Sequence, residues 1–314
     1  MIVSANGFLD IELRHLAALQ AIAEEGSFGR AAKRLGYTQS AISQQIATLE
    51  RIVDARLVER PGGPRRVYLT EAGEMLLRHA DGIVARLHAA QADLAALARG
   101  AAGPLRIGTY QSVGNKILPA LLRRFSAQLP DVQIELRESH ADDELLSAVE
   151  RGELDLTFTM LPPTEGPFET LELMRDPYVL LVPATSPLAG KRNVSLREIG
   201  QQPLVTNKAC RSVEEVHAHL RARGIEPNIT FRSDDNGTVQ GVVAAGLGVA
   251  LVPRLTVDET DAHVAVIDLG GRVPDRIIGV AWHRDRFRTQ AAEAFAAEAQ
   301  LLCAELSAGK PVAA

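Results

Sequence analysis

Gly26 and Gly36 stand ten positions apart, and the segment between them has room for only one short helix. Upstream, IELRHLAALQAIAEE (11–25) places Leu13, Leu16, Leu19 or Gln20, and Ile22 or Ala23 at helical spacing, which predicts an amphipathic helix that Gly26 stops. Ser27 is placed to cap FGRAAKRL, whose Phe28, Ala31, Ala32 and Leu35 turn inward, and the small alanines allow a close crossing. Gly36 and Tyr37 make a turn, and Thr38 caps a third helix reaching about Ala55. Two short helices joined this tightly form a helix-turn-helix pattern.

The third helix is asymmetric. Ile42, Ile46, Leu49 and Val53 share one flank, while Ser40, Gln44, Ala47 and Arg51 fall nearly opposite, with Gln39 and Ser43 at the N-terminal shoulder. An ordinary solvated face carries Glu and Lys. This one begins polar and uncharged, which suits amides and hydroxyls that donate to and accept from base edges. Gln39 and Gln44 are placed to address bases, and Ser40 and Ser43 bases or phosphates near the helix's positive end. A capped surface helix is the alternative reading of the same pattern.

Charge supports the DNA reading locally. The chain's net charge is -5, yet residues 28–70 hold eight basic side chains against three acidic ones, enough to neutralise phosphates if they share a surface. Residues 101–314 hold 22 basic against 28 acidic side chains. After Leu57, the loop signal Pro61-Gly62-Gly63-Pro64 precedes a returning strand at Val67, Tyr68 and Leu69, a wing flanked by Arg60, Arg65 and Arg66. Those arginines would reach phosphates or the minor groove, or else face solvent beside a turn. From Glu71 to about Ala98 runs a proline-free, alanine-rich helix. Leu76, Ile83, Ala90 and Leu97 lie seven apart, with Ala80, Leu87 and Leu94 on the complementary seam, which predicts a dimerising coiled coil or, alternatively, burial on the chain's own second domain.

The stretch GSFGRAAKRLGYTQSAISQQIATLERIVDARLVERPGGPRRVYLTEAG, with AAKRL, SAISQQI, LE, LVER and LTEAG, resembles the LysR-type family of bacterial regulators. The resemblance extends over most of the chain. It implies double-stranded promoter DNA as the partner, read at interrupted inverted sites of T-N11-A character, with Gln39, Ser40, Ser43 and Gln44 in the recognition helix and Arg60, Arg65 and Arg66 on the wing. It also implies assembly as dimers and tetramers, contact with RNA polymerase as a further expectation, and no cofactor or metal. Departures limit the transfer of any one operator sequence. Ser40 stands where many members have proline, Gln44 where arginine or histidine is frequent and Val58 where phenylalanine is usual, and the wing is about two residues longer than the common form.

Residues 98–104 read as a hinge. Strands at 105–109, 132–138 and 154–160 alternate with helices near 115–128 and 142–151, which argues for parallel βαβ layers. A second set follows: DPYVLLVP, a strand at 204–206, a helix at 212–223, a strand at 229–232, a helix at 237–245 and GLGVALVP. IIGVAW and a helix at 289–306 return to the first set. The order resembles the two-lobed, periplasmic-binding-protein-like sensor of LysR-type regulators, which implies a small organic anion held between lobes at Thr109 and Ser112 on one junction and Thr206 and Asn207 on the other. Arg211 is either a carboxylate partner or a surface arginine at a helix start.

The expected architecture is thus a winged helix-turn-helix (11–70), a linker helix (71–98), a hinge (99–104), an α/β effector-sensing domain (105–306) and a tail (307–314). Lobe I would take about 105–175 and 268–306, and lobe II about 176–267. No export signal or apolar run of membrane length is present, which leads to expectations of a cytoplasmic protein, nucleoid-associated on DNA, with no membrane partner. Enzyme readings lack a motif. GLGVALVP has no third spaced glycine, no GxSxG or CxxC occurs, and His217 and His219 are too close on one helix to share a metal. Cys210 and Cys303 read as ordinary reduced thiols, an oxidisable pair being the alternative. A solute-binding receptor without a DNA role is the main rival function, opposed by the DNA-reading face.

Overall fold

In the computed structural model, which describes residues 7–59, 66–99, 103–208 and 210–308, both spacing glycines take left-handed φ values, +59° at Gly26 and +70° at Gly36, and each ends a helix. α1 spans Leu13–Glu25, α2 Phe28–Leu35 and α3 Gln39–Val53. Ser27 Oγ accepts the Arg30 N–H at 3.5 Å, and Thr38 Oγ1 accepts the Ala41 N–H at 3.2 Å, so both predicted caps are made. The three helices close over Leu19, Ile22, Phe28, Ala31, Ile42 and Ile46, all buried. A short antiparallel pair follows, β1 (Val58–Glu59) with β2 (Tyr68–Leu69). Glu50 Oε1 accepts the N–H groups of Leu57 (2.9 Å) and Val58 (3.3 Å), tying the end of α3 to the wing. The wing tip with Arg60 and Arg65 lies outside the described residues, as do 100–102 of the hinge and 309–314 of the tail.

α4 spans Glu71–Arg99, and Thr70 caps it through the Gly73 N–H at 3.1 Å. Its first turns belong to the DNA-binding core. Ala80 is fully buried there and Leu76 packs against the same cluster, so these two of the predicted seam residues are covered by their own chain. Ile83, Leu87, Ala90 and Leu94 remain exposed, which narrows the free seam to the helix's later turns; the Leu97 side chain lies outside the description.

The chain divides into two compact units, 1–91 and 92–314. In the second, β3 (Leu105–Thr109), α5 (Gln111–Lys116), α6 (Leu118–Gln128), β4 (Ile134–Glu138), α7 (Asp142–Glu150), β5 (Leu156–Leu161) and β6 (Phe168–Asp176) lead to a crossover at Pro177. Then come β7 (Tyr178–Pro183), α8 (Leu196–Gly200), β8 (Leu204–Asn207), α9 (Arg211–Arg221), β9 (Ile229–Ser233), α10 (Asn236–Ala244), β10 (Ala250–Pro253) and β11 (Val264–Asp268). β12 (Arg276–His283) and α11 (Gln290–Ser307) return to the first lobe.

Lobe I is a five-stranded sheet in the order β4-β3-β5-β12-β6. Only β4, β3 and β5 run parallel, and β12 pairs antiparallel with both β5 and β6. Lobe II joins the antiparallel trio β10-β7-β11 to the parallel pair β8-β9. The three strands expected to form parallel βαβ layers do so, and the antiparallel pairings come from β6, β12 and the β10-β7-β11 trio. The single helix expected at 115–128 is two, because Pro119 supplies no N–H to continue the first and sits at the start of the second. Phe125, Phe158 and Phe295 stack edge to face in the lobe I core.

Gly73 marks the tightest junction in the DNA-binding unit. A Cβ built there would lie 2.1 Å from the Leu57 carbonyl oxygen. Gly73→Ala is therefore expected to destabilise this unit by about 1–3 kcal/mol through forced backbone displacement, read from the denaturant midpoint of the full chain.

Candidate functional site

Two sites emerge, one in each unit. In the first, Gln39, Ser40 and Gln44 project exposed from α3, while Ser43 is half-buried. Ser40 Oγ stands 3.0 Å from Thr38 Oγ1, which steadies the first turn. The basic excess around this face is partly spent within the fold. Arg30 pairs with Glu25, and Arg34 with Glu24 and Glu25, which leaves Lys33, Arg51, Arg56 and Arg66 without an ionic partner among the described residues. Arg66 is exposed, and its aliphatic stem runs beside Gly26, whose carbonyl accepts the Val67 N–H at 3.0 Å. The base of the wing is thus fastened to the α1–α2 turn.

In the second unit, a cavity of about 550 Å³ opens between the two lobes, a size suited to a small organic molecule. Of the five residues expected there, Ser112, Asn207 and Arg211 border it. Thr109 and Thr206 are buried in the strand ends beneath and do not. Side chains alternate across a strand, so once the threonines turn inward their neighbours Tyr110 and Asn207 face the opening.

Arg211 is neither a free surface group nor a free anion partner. From the start of α9 it donates to the carbonyl oxygens of Met160 (3.2 Å) and Pro162 in lobe I, and its Nε donates to Glu215 at 3.2 Å. Gln111 reaches the other way. Its amide donates to Asp235 Oδ2 at 2.6 Å and accepts the Asn236 N–H at 3.0 Å. That bond, with the Thr238 N–H, holds the Asp235 carboxyl below its ordinary range. Asn207 donates to Asn236 Oδ1 at 3.1 Å, completing a polar seam along lobe II.

The residue that sequence reasoning missed is Arg276. It opens β12 and is only 8% exposed, with Nε and Nη2 on Asp176 Oδ2 (3.1 and 2.6 Å) and Nη2 also on Ser112 Oγ at 3.0 Å. Its guanidinium lies 5.5 Å from the Tyr110 ring centroid. Burial pushes the Asp176 carboxyl upward while the guanidinium pulls it down. The only sequence signal was an arginine heading the apolar run IIGVAW. Asp142, at the start of α7, also borders the cavity. It accepts the Thr159 hydroxyl at 2.9 Å, and its Oδ1 has no partner, so burial raises its carboxyl. Both cysteines are free thiols, Cys210 beside the cavity and Cys303 in the lobe I core.

A winged helix-turn-helix joined in one chain to a two-lobed sensor defines a DNA-binding regulator. Residues 13–74 match the family described as "Bacterial regulatory helix-turn-helix protein, lysR family", and residues 98–303 the "LysR substrate binding domain". The transcriptional regulator YnfL of Escherichia coli (strain K12) is 33% identical over 249 residues, which cover 78% of this chain and 83% of that protein. AlsR of Bacillus subtilis (strain 168) is 33% identical over 249 residues, with 77% and 80% covered. Among solved structures, HinK, a LysR family transcriptional regulator from Pseudomonas aeruginosa, superposes with a TM-score of 0.60 at 25% identity, covering 95% of this chain and 100% of that one. The chain belongs to the LysR family: it is a sequence-specific DNA-binding transcriptional regulator with an effector-binding domain. Among the described residues, no helix is long and apolar enough to cross a membrane.

Breaking the buried pair exposes its role. Arg276→Met strands the Asp176 carboxylate and is expected to cost about 3–5 kcal/mol, most of it recovered in the Arg276→Met/Asp176→Leu double variant. Urea unfolding of the four members of this cycle measures the coupling.

Proposed function

We propose that the protein reads an interrupted inverted site in promoter DNA with two copies of α3, pairs through the exposed later turns of α4, and assembles further into a tetramer. The observation that carries this reading is the uncharged polar face of α3, with Gln39, Ser40 and Gln44 exposed, in a unit whose Lys33, Arg51, Arg56 and Arg66 have no ionic partner among the described residues. Neutral amides there favour discrimination among bases, while the arginines supply attraction to any duplex. Regulation follows from occupancy of promoters on the nucleoid and contact with RNA polymerase there. Between the lobes, a small organic acid is the effector class favoured, because Ser112 and Arg276 put a hydroxyl and a guanidinium at the cavity wall.

Footprinting on the promoter region of the protein's own gene tests the reading of DNA, with protection of two half-sites in one groove register expected. No protection by folded protein would overturn it. Gln44→Ala should lower the preference for cognate over random duplex by about 1–3 kcal/mol, the worth of one good bidentate base contact. Arg65→Ala should instead weaken both and flatten the salt dependence of binding.

Assembly has its own test. Leu87 is 51% exposed at the centre of the free seam, and Leu87→Asp is expected to shift the particle to a smaller mass in light scattering at low micromolar concentration. Unchanged mass in a folded variant would move the interface off α4.

A further inference from the structure

The charges around the interlobe cavity are unequal once internal pairs are removed. Three cations border it. Lys208 is paired with Asp234, and Arg211 is occupied by the Met160 and Pro162 carbonyls and by Glu215. Arg276 is the buried one of the three, and it keeps a whole nitrogen free. Its three hydrogen bonds use Nε and Nη2, and Nη1 meets no acceptor among the described residues, although the side chain is only 8% exposed and borders the cavity. Ser112 Oγ accepts from Arg276, so its own proton is left to donate. These two groups form one donor-bearing corner, built on buried side chains, with the shape that a carboxylate fills.

The remaining wall has the opposite character. Asp143 and Glu214 border the cavity with no ionic or hydrogen-bonding partner among the described residues, and neighbouring Asp142 has one oxygen unpartnered. Besides His140 and Asp234, the latter neutralised by Lys208, no other charged side chain among the described residues borders it. A ligand bearing carboxylate alone would satisfy the Arg276 corner while meeting three carboxylates across the same space. A dicarboxylate would be repelled twice over. A cation alone would leave the guanidinium unanswered.

We infer that the cavity takes a small amino carboxylate, its carboxylate on Arg276 Nη1 and the Ser112 hydroxyl and its ammonium toward Asp143 and Glu214. The inference rests on the organic-acid reading above and sharpens it, because a zwitterion complements both walls without adding net charge. An ammonium at that position also screens Asp142 from Asp143.

The test is calorimetric titration of the full-length chain with the twenty α-amino acids and the ω-amino acids of three to six carbons, each against its deaminated carboxylate. The best amino carboxylate is expected to bind at least about tenfold tighter than its deaminated partner. Ser112→Ala should weaken both members of that pair, whereas Asp143→Asn/Glu214→Gln should erase the difference between them; circular dichroism of each variant confirms its fold. Both acids are exposed, so the second variant tests the ammonium site without disturbing the buried ion pair. A deaminated carboxylate that binds as tightly as its amino partner overturns the zwitterion while leaving an organic acid as effector. Absence of binding by every compound in both series, to folded protein, overturns the two together.

Discussion

The second unit turns on a single buried ion pair. Asp176 ends β6 immediately before the first crossover, and Arg276 opens β12 immediately after the second, so their 2.6 Å contact fastens the two strands on which the lobes are hung. Asp176 Oδ1 also accepts the Leu255 N–H at 3.0 Å, just past the end of β10, and so reaches into lobe II. A carboxylate so buried is costly unless nearly every lone pair is used. Here backbone, guanidinium and hydroxyl share the task, and one consequence is that Arg276 is held rigidly at the cavity wall. The same bond that stabilises the crossover thereby fixes the strongest donor of the site.

Local signals survived the passage from sequence to structure better than distant ones. Ser27, Thr38, Gly26 and Gly36 were readable because a cap or a left-handed turn involves atoms only a few residues apart. β6 was not. Its FETLELMRD places Glu and Arg on an edge strand whose partner, β12, lies about a hundred residues onward, and with so many charges it looks like a loop. β11 and the single-turn α8 were missed for a related reason, being too short to show a period. Arg276 was invisible as a site residue because its burial is decided by Asp176, 100 positions away. Thr109 and Thr206 stand at strand ends beneath the cavity, but which member of a strand end faces it depends on register, which no short run of residues specifies.

In the DNA-binding unit the division of charge matters more than its sum. Arg30 and Arg34, both on α2, are neutralised by acids at the end of α1, and this braces the two helices. The unpaired cations are distributed over α2, α3 and the wing base, while the exposed start of α3 itself holds only amides and a hydroxyl. In the proposed mode of binding, long-range attraction to phosphate is thus separated from the residues that would touch bases. A lysine at Gln44 would bind more tightly and choose less well, since a point charge is satisfied by any acceptor.

Coupling between the units requires a difference, not merely binding. Besides the Asp176–Leu255 bond, the lobes share two polar bridges at the cavity, Arg211 to the Met160 and Pro162 carbonyls and Gln111 to Asp235 and Asn236. A ligand shifts the lobe angle only where its contacts differ between angles, since equal affinity shifts no population. A ligand on Arg276 and the acidic wall would act on the Arg211 bridge through Asp142. In the proposed pose its ammonium would lie toward Asp143, which adjoins Asp142, whose Oδ2 stands 3.8 Å from Arg211 Nη1. Weakening the pull of Asp142 on Arg211 lets the guanidinium settle more firmly on the lobe I carbonyls or leave them, and either outcome changes the energy of closure. Differential contacts of this kind commonly amount to about 1–3 kcal/mol, enough to move an evenly balanced pair of lobe angles to one side. The cavity's acids are thus in a position to convert ligand charge into lobe geometry.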